Sequence, residues 1–170
     1  MSLRLRILSG YLVGLTLLLL ISGWALSRLY RLGSASQAIL QDNYLSILAA
    51  NRMIDSLERQ DTASLLFLLG DKEKGLALFA RYQGEFEHWL QAAEGNITLD
   101  GEAEMIDRLK SGYRRYLARF EEVKGGAPYS AIEPIFHEVR EDSGRLRELN
   151  QQAMDVAGAE AQNVAPSALG

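Results

Sequence analysis

An uncharged run of 21 residues, Ile7 to Ser27, constrains this chain more than any other feature of its sequence. A bilayer core is about 30 Å thick and a helix rises about 1.5 Å per residue, so about 20 apolar residues span it. Two arginines precede the run and two follow it: Arg4, Arg6, Arg28 and Arg31. We therefore predict a cytoplasmic start over residues 1–6 and a transmembrane helix over residues 7–29.

Two other interpretations of this run remain open. A cleaved signal peptide has a basic start, about 7–15 apolar residues and small residues at the cut site. Gly23 and Ala25 fit such a site, although the run is longer than that. The other alternative is a buried core helix, which is seldom apolar on every face. Gly10 and Gly14 form a Gly-x-x-x-Gly pair, which can bring two spanning helices together, and we predict an anchor dimer contact there; the alternative is that they are two ordinary small residues of an anchor.

Charge is distributed unevenly along the chain. All 22 acidic residues and 14 of the 18 basic residues lie beyond residue 31, which gives that part a net charge of −8. The positive-inside bias is slight and favours a cytoplasmic amino terminus. The negative charge of the exported part argues against a nucleic-acid partner. The absence of cysteine excludes disulfides, zinc–thiolate sites and a thiol nucleophile.

The remaining sequence contains few prolines, which permits long helices, and glycines mark where one helix ends and the next begins. The predicted helices cover residues 34–69, 72–94, 100–124 and 131–164, followed by a frayed tail over 165–170. Apolar residues recur at spacings of three and four, which places them on one side of each helix. Because the connections are short, we predict an all-α fold in which residues 30–164 form an up-down-up-down four-helix bundle.

Polar residues interrupt the stripe that we assign to the first of these helices. Steps of three and four give the following series: Leu40, Tyr44, Ile47, Asn51, Ile54, Glu58, Asp61, Leu65 and Leu68. A buried carboxylate needs a partner, water or a ligand, and Arg52 and Asp55 are close in sequence. We predict a ligand-binding or signalling polar seam of five residues: Asn51, Arg52, Asp55, Glu58 and Asp61. The alternative is that the stripe drifts, so that some of these groups reach solvent.

Motifs that suggest catalysis or metal binding are incomplete. Glu85 and His88 have the Glu-x-x-His spacing of di-metal bundles, but a second motif of that kind is missing. The sequence His137-Glu138-Val139-Arg140 resembles the start of a histidine-kinase phosphoacceptor box, but Glu141-Asp142 stands where that box has Thr-Pro. We therefore predict no catalytic residues, no metal site and no cofactor.

Short motifs in a fixed order resemble the membrane anchor and extracytoplasmic sensor domain of bacterial two-component histidine kinases of the KinB type. They are Asn43-Tyr44-Leu45-Ser46, Asn51-Arg52-Met53, Leu57-Glu58-Arg59-Gln60-Asp61, the helix end Leu65–Asp71, Gly95-Asn96-Ile97-Thr98 with Gly101-Glu102, and Asn150-Gln151-Gln152-Ala153-Met154. The resemblance covers nearly the whole chain from the anchor to about residue 163. Each motif alone is weak, and their order and spacing are moderately specific.

The resemblance implies a location, partners and a mechanism. The chain would lie in the bacterial inner membrane with its sensor domain in the periplasm, contact lipid through the anchor and work as a homodimer. A small-molecule or protein signal that prefers one helix packing would shift the population toward it. The family's pattern continues into a second spanning segment and kinase domains, whereas this sequence stops at Gly170. We therefore expect a non-catalytic sensor region truncated before its output domains.

Other classes of protein fit the same pattern. A chemoreceptor or another transmembrane receptor would have the same sensor architecture and a different output. A stand-alone, membrane-tethered helical bundle that binds a partner protein is a further alternative. The residues that distinguish these outputs would follow position 170.

Overall fold

The structure is all-helical. This computed structural model describes the backbone of residues 3–167 and the side chains of residues 11–159, except 13, 25, 26 and 28–40. Within that range every regular element is a helix, which confirms the predicted all-α class. The elements are α1 (Leu3–Leu68), α2 (Lys72–Glu94), α3 (Glu102–Lys124), a short 3-10 helix (Tyr129–Ala131) and α4 (Glu133–Ser167). The chain divides into two compact units, Met1–Ile39 and Leu40–Gly170.

The first unit contains the amino-terminal part of α1. Its described large apolar side chains are exposed, from 54% at Leu17 to 78% at Tyr11. Within the described part of the chain, no helix is both long enough and apolar enough to cross a membrane. The side chains of several residues of the predicted anchor lie outside the described set: 7–10, 13, 25, 26, 28 and 29. Gly10 is one of them, so the predicted Gly10–Gly14 contact also lies outside the described residues, and the anchor stays a prediction.

In the second unit, glycines in the left-handed region end two of the helices. Gly70 has a φ of +107° and follows the end of α1. The Asp71 N–H then donates to the Leu66 carbonyl at 3.1 Å, a bond that closes the last turn. Gly126, with a φ of +106°, plays the same part after α3. These two reversals make the connections short and bring consecutive helices of this unit together.

All four helices of the second unit contribute to one hydrophobic core. Its centre is aromatic, since the rings of Phe79 and Phe120 stack at 3.7 Å and those of Phe86 and Tyr113 at 3.8 Å. These pairs join α2 to α3 along several turns. The α1 contribution is smaller: Ala49, Ala50, Met53, Leu57 and Ala63. Phe136, Val139 and Leu146 come from α4, and Ile132 comes from the position just before it. Aromatic contacts therefore fix α2 against α3, whereas α1 adds few large apolar side chains.

Candidate functional site

The side of α1 that faces the core carries several polar residues. Eight positions at alternating spacings of three and four are buried: Asn43, Ser46, Ala50, Met53, Leu57, Gln60, Ser64 and Phe67. This spacing is the a/d pattern of a helix that packs along a single seam. We call these eight positions the core seam of α1. Four of the eight are polar, and they fall in two groups, one toward each end of the seam.

From Tyr44 to Leu68, the series on which the predicted polar seam is based follows the core seam displaced by one residue. One residue turns a helix by about 100°, so the predicted positions lie beside the core instead of in it. The prediction that Asn51 and Glu58 face the core is therefore wrong, because both are exposed. The alternative that the stripe reaches solvent holds for these two residues. The prediction failed because it took Tyr44, Leu65 and Leu68 as core residues on account of their apolar side chains. In the structure these three side chains remain 39–57% exposed.

At the surface, these polar residues pair with α4. The Arg147 guanidinium donates to the Asn51 side-chain oxygen at 3.3 Å, and Arg140 Nε donates to Glu58 Oε1 at 2.9 Å. Both members of the Glu58–Arg140 pair are about half exposed, so solvent screens the attraction and it adds little stability. The structure thus brings two of the five predicted residues to α4 through weak contacts.

The other three predicted residues differ among themselves. Arg52 is exposed, and Asp55 pairs with Arg59 one turn away at 3.1 Å. Asp61 is half-buried and accepts a hydrogen bond from the Tyr129 hydroxyl at 2.8 Å. Burial raises the pKa of Asp61 above its ordinary value, against the opposing effects of the Tyr129 hydrogen bond and of the nearby His137. Asp61 is therefore the predicted residue that combines partial burial with a contact to another element.

A buried polar network surrounds Gln60, a residue that the predicted seam omits. Its side-chain oxygen accepts from the Tyr113 hydroxyl of α3 at 2.9 Å, and its amide donates to the Tyr82 carbonyl of α2 at 3.3 Å. One turn later, Ser64 donates to the Gln60 carbonyl at 2.9 Å. Burial raises the pKa of Tyr113, so this hydroxyl stays protonated as a donor. We call this set the central network; it joins α1, α2 and α3.

A second polar group lies at the opposite end of the core seam. Asn96, in the connection between α2 and α3, donates to the Asp42 carbonyl at 2.7 Å and to Ser46 Oγ at 2.9 Å. Glu102, at the start of α3, is fully buried. Its carboxylate accepts from two backbone N–H groups of the connection and from the Asn150 amide of α4 at 3.0 Å.

Several buried polar atoms have no hydrogen-bond partner among the described residues. They are both side-chain amide atoms of Asn43, Oδ1 of Asn150 and the hydroxyl of Tyr116. Burial raises the pKa of Tyr116, and the nearby Ser64 hydroxyl opposes that rise. Ser64 donates its own proton to the Gln60 carbonyl. Buried groups of this kind each cost about 1–3 kcal/mol, so they mark places where the packing is not optimal.

An open cleft of about 340 Å³ lies along α4 beside Ile54 of α1. Three arginines and two glutamates line it around Gly144: Arg140, Arg145, Arg147, Glu141 and Glu148. The arginines already bond to neighbours, for example Arg145 to Glu141 at 2.7 Å. A ligand in this cleft would have to replace these bonds. Among the described residues, no group of three or more histidine, aspartate or glutamate side chains is placed to hold a metal ion.

Sequence reasoning missed the two buried polar groups, although the sequence contains a signal for them. The residues of the core seam are spaced alternately by three and four positions, and this spacing continues through Gln60 and Ser64. Because these two residues are polar, the hydropathy of the sequence does not reveal the pattern. Asp142 of α4 is a further buried polar residue, at 6% exposure. No protein-family model matches this chain, and no match is found among the curated proteins or the solved structures.

Proposed function

We propose that this chain is the signal-sensing region of a membrane-bound two-component histidine kinase. In this proposal residues 7–29 form the anchor, and residues 30–164 form an up-down-up-down four-helix bundle that works as a homodimer on the extracytoplasmic side. A signal changes the packing of α1 against the other helices, and the change passes to output domains that follow position 170. The motif resemblance and the uncharged run from Ile7 to Ser27 support this proposal.

The composition of the core seam of α1 is the observation that carries the proposal. A seam made of large apolar residues holds one packing firmly, because any shift exposes apolar surface or opens cavities. Half of the seam positions of α1 are polar instead: Asn43, Ser46, Gln60 and Ser64. Hydrogen bonds can be exchanged between neighbouring partners at small net cost, since each is worth about 0.5–1.5 kcal/mol net. Two packings of α1 with similar energies are therefore plausible on physical grounds.

A chimeric kinase tests this function. Residues 1–164 are joined to the second spanning segment, linker and kinase domains of a characterised receptor kinase, and autophosphorylation is measured in membranes. Replacing Gln60 with Leu and Tyr113 with Phe converts the central network to apolar contacts, which should fix one packing. We expect the basal phosphorylation rate to change at least about fivefold.

The matched control is Gln151→Leu, an amide-to-apolar change at an exposed position of α4, which should leave the rate unchanged. Equal rates in the parent, the control and the Gln60/Tyr113 variant, at equal membrane levels, would rule the proposal out. The predicted seam can be tested in the same chimera with Glu58→Leu and Asp61→Leu. If Asn51, Arg52, Asp55, Glu58 and Asp61 bias the packing, this pair should shift the output as well.

Location is tested separately with single cysteines, since the chain has none of its own. Ala118 is exposed on α3, so a cysteine there reacts with maleimides wherever the reagent reaches it. A membrane-impermeant maleimide should label Ala118→Cys in intact cells. Labelling that requires permeabilised cells would place this domain inside and overturn the proposal.

A stand-alone bundle that binds a partner protein is the second candidate function. The observation that favours it is a group of exposed leucines where α1 meets α2: Leu65, Leu68, Leu69 and Leu76. Leu69 is 85% exposed, and contiguous exposed apolar residues often mark binding sites. Under this function, Leu69→Asp would abolish partner capture while leaving the basal phosphorylation rate of the chimera unchanged.

A further inference from the structure

We propose that the connection between α2 and α3 acts as a clasp that couples the start of α1 in the second unit to α4. The clasp consists of Asn96, Glu102 and Asn150, with the α1 groups and backbone amides that they bind. Its effect is that loosening one of the two helices loosens the other. This coupling concerns the second unit alone and does not depend on the proposed function.

The α1 half of the clasp is the side chain of Asn96. This amide donates to the Asp42 carbonyl at 2.7 Å and to Ser46 Oγ at 2.9 Å. It therefore holds two successive turns of α1 from outside the helix. Ser46 is fully buried, whereas Asn96 is only partly buried, so the bond is partly shielded from water.

The α4 half is the buried carboxylate of Glu102. Its Oε2 accepts from the backbone N–H groups of Thr98 at 2.9 Å and of Leu99 at 3.2 Å, which fixes the end of the connection. Its Oε1 accepts from the Asn150 amide at 3.0 Å. The same amide also donates to the Leu146 carbonyl one turn earlier in α4. Glu102 thus ties the connection to α4 with a charge-assisted bond in a site without solvent.

A single residue joins the two halves. Ile97 lies between Asn96 and Thr98, so a displacement of the Asn96 backbone can pass through one residue to the amides that Glu102 holds. The direct side-chain hydrogen bonds between α1 and α4 among the described residues, Asn51–Arg147 and Glu58–Arg140, involve exposed groups. Solvent weakens those pairs, which leaves the clasp as the buried polar route between the two helices.

Among the described residues, buried polar atoms without a protein partner lie at or beside the clasp. Asn150 Oδ1 and both amide atoms of Asn43 are buried without a hydrogen-bond partner in the described part of the chain. Asn43 lies one turn before Ser46 on the core seam. The Asn43 amide is therefore available for new bonds when a small shift of α1 breaks the present ones. Such a clasp can open without unfolding the aromatic core.

Hydrogen exchange measured by mass spectrometry on the full chain tests the coupling. Asn96→Ala removes the bonds to α1 and touches no residue of α4 directly. If the clasp couples the helices, exchange should rise at least about threefold in residues 146–156 as well as in residues 42–50. Asn150→Ala should produce the reciprocal effect in residues 42–50, because coupling between two sites acts equally in both directions.

Gln151→Ala is the matched control, since Gln151 is exposed beside Asn150 and bonds only within α4, to Asp155 at 3.3 Å. This variant should leave residues 42–50 unchanged. Circular dichroism verifies that each variant keeps its helix content. If Asn150→Ala does not fold, Asn96→Ala and Asn96→Ser give the deciding result at residues 146–156. The proposal is overturned if the Asn96 variants change exchange only in residues 42–50 and in the connection itself.

Discussion

Two glycines of α2 should respond to the same substitution in opposite directions. A Cβ added at Gly75 would lie 2.7 Å from the Phe67 backbone nitrogen and 2.9 Å from the Ala63 carbonyl oxygen. Both atoms belong to the backbone of α1, which cannot move without distorting that helix. A Cβ at Gly84 would meet nothing within 4 Å. The contrast isolates the close approach of α1 to α2 from the general effect of glycine in a helix.

The magnitudes follow from two opposing effects. Alanine is favoured over glycine in a helix by about 1 kcal/mol, so Gly84→Ala should stabilise the fold by about 0.5–1 kcal/mol. At Gly75 the same gain is opposed by overpacking against backbone, which costs about 1–3 kcal/mol and occasionally more. Contacts as short as 2.7 Å belong at the upper end of that range. We therefore expect Gly75→Ala to destabilise the fold by about 1–2 kcal/mol net.

Thermal unfolding of the full chain, followed by near-ultraviolet circular dichroism, measures both effects through the packing of the aromatic core. For a domain of this size, 1 kcal/mol corresponds to about 3–5 °C in Tm. Gly84→Ala should raise Tm by a few degrees, and Gly75→Ala should lower it by a similar or larger amount. If both variants raise Tm, α1 and α2 are not in the close contact described above.

Three further predictions concern the polar residues of α1. Tyr113→Phe should lower the free energy of unfolding in urea by about 1–2 kcal/mol, because it leaves the Gln60 side-chain oxygen buried without a donor. Adding Gln60→Leu should recover most of that loss. Additive losses from the two substitutions would contradict the hydrogen bond. Among single-cysteine variants, Asn51→Cys should react with a maleimide at least about tenfold faster than Ala50→Cys, because opening is required to expose the buried position; equal rates would show that the register is wrong. Asp61→Asn should stabilise the fold at neutral pH, because burial raises the pKa of the Asp61 carboxyl and its ionisation therefore costs stability as pH rises. That advantage should disappear below the ordinary carboxyl pKa of about 3.9, and an advantage independent of pH would refute this explanation.

The sequence was sufficient for most of α3 because its inward positions from Ile106 onward are mostly large and apolar, although Glu102 and Gly112 are buried as well. The apolar residues of α3 that recur at helical spacings, Ile106, Leu109, Tyr113, Phe120 and Val123, are all buried. The ends of the helices were also predictable, since glycine is the residue that adopts a positive φ at little cost. For these features, local preference and tertiary packing favour the same structure.

The candidate site was harder to predict because, in α1, local hydropathy and tertiary packing favour different positions. Hydropathy favours Tyr44, Leu65 and Leu68 as core positions. The core instead contains Gln60 and Ser64, which belong to the series that starts one residue earlier. A buried glutamine is recognisable only with its partners, and Tyr113 lies 53 residues away in the chain. The register of α1 is therefore a property of the assembled helices, and periodicity alone could not determine it.

The kind of contact that holds α1 also determines how this helix can move. Apolar contacts are non-directional and scale with area, so a helix held by them keeps one packing, because any shift exposes apolar surface or opens cavities. Hydrogen bonds have narrow geometry, and a helix held by them passes from one set of partners to another with little between. α1 is held at Gln60 by the central network and at Ser46 by Asn96, while Leu65 and Leu68 near its end, and Leu69 just after it, remain exposed. Movement of α1 should therefore occur between discrete positions, and α2 and α3, stacked through their aromatic rings, provide the fixed frame against which it moves.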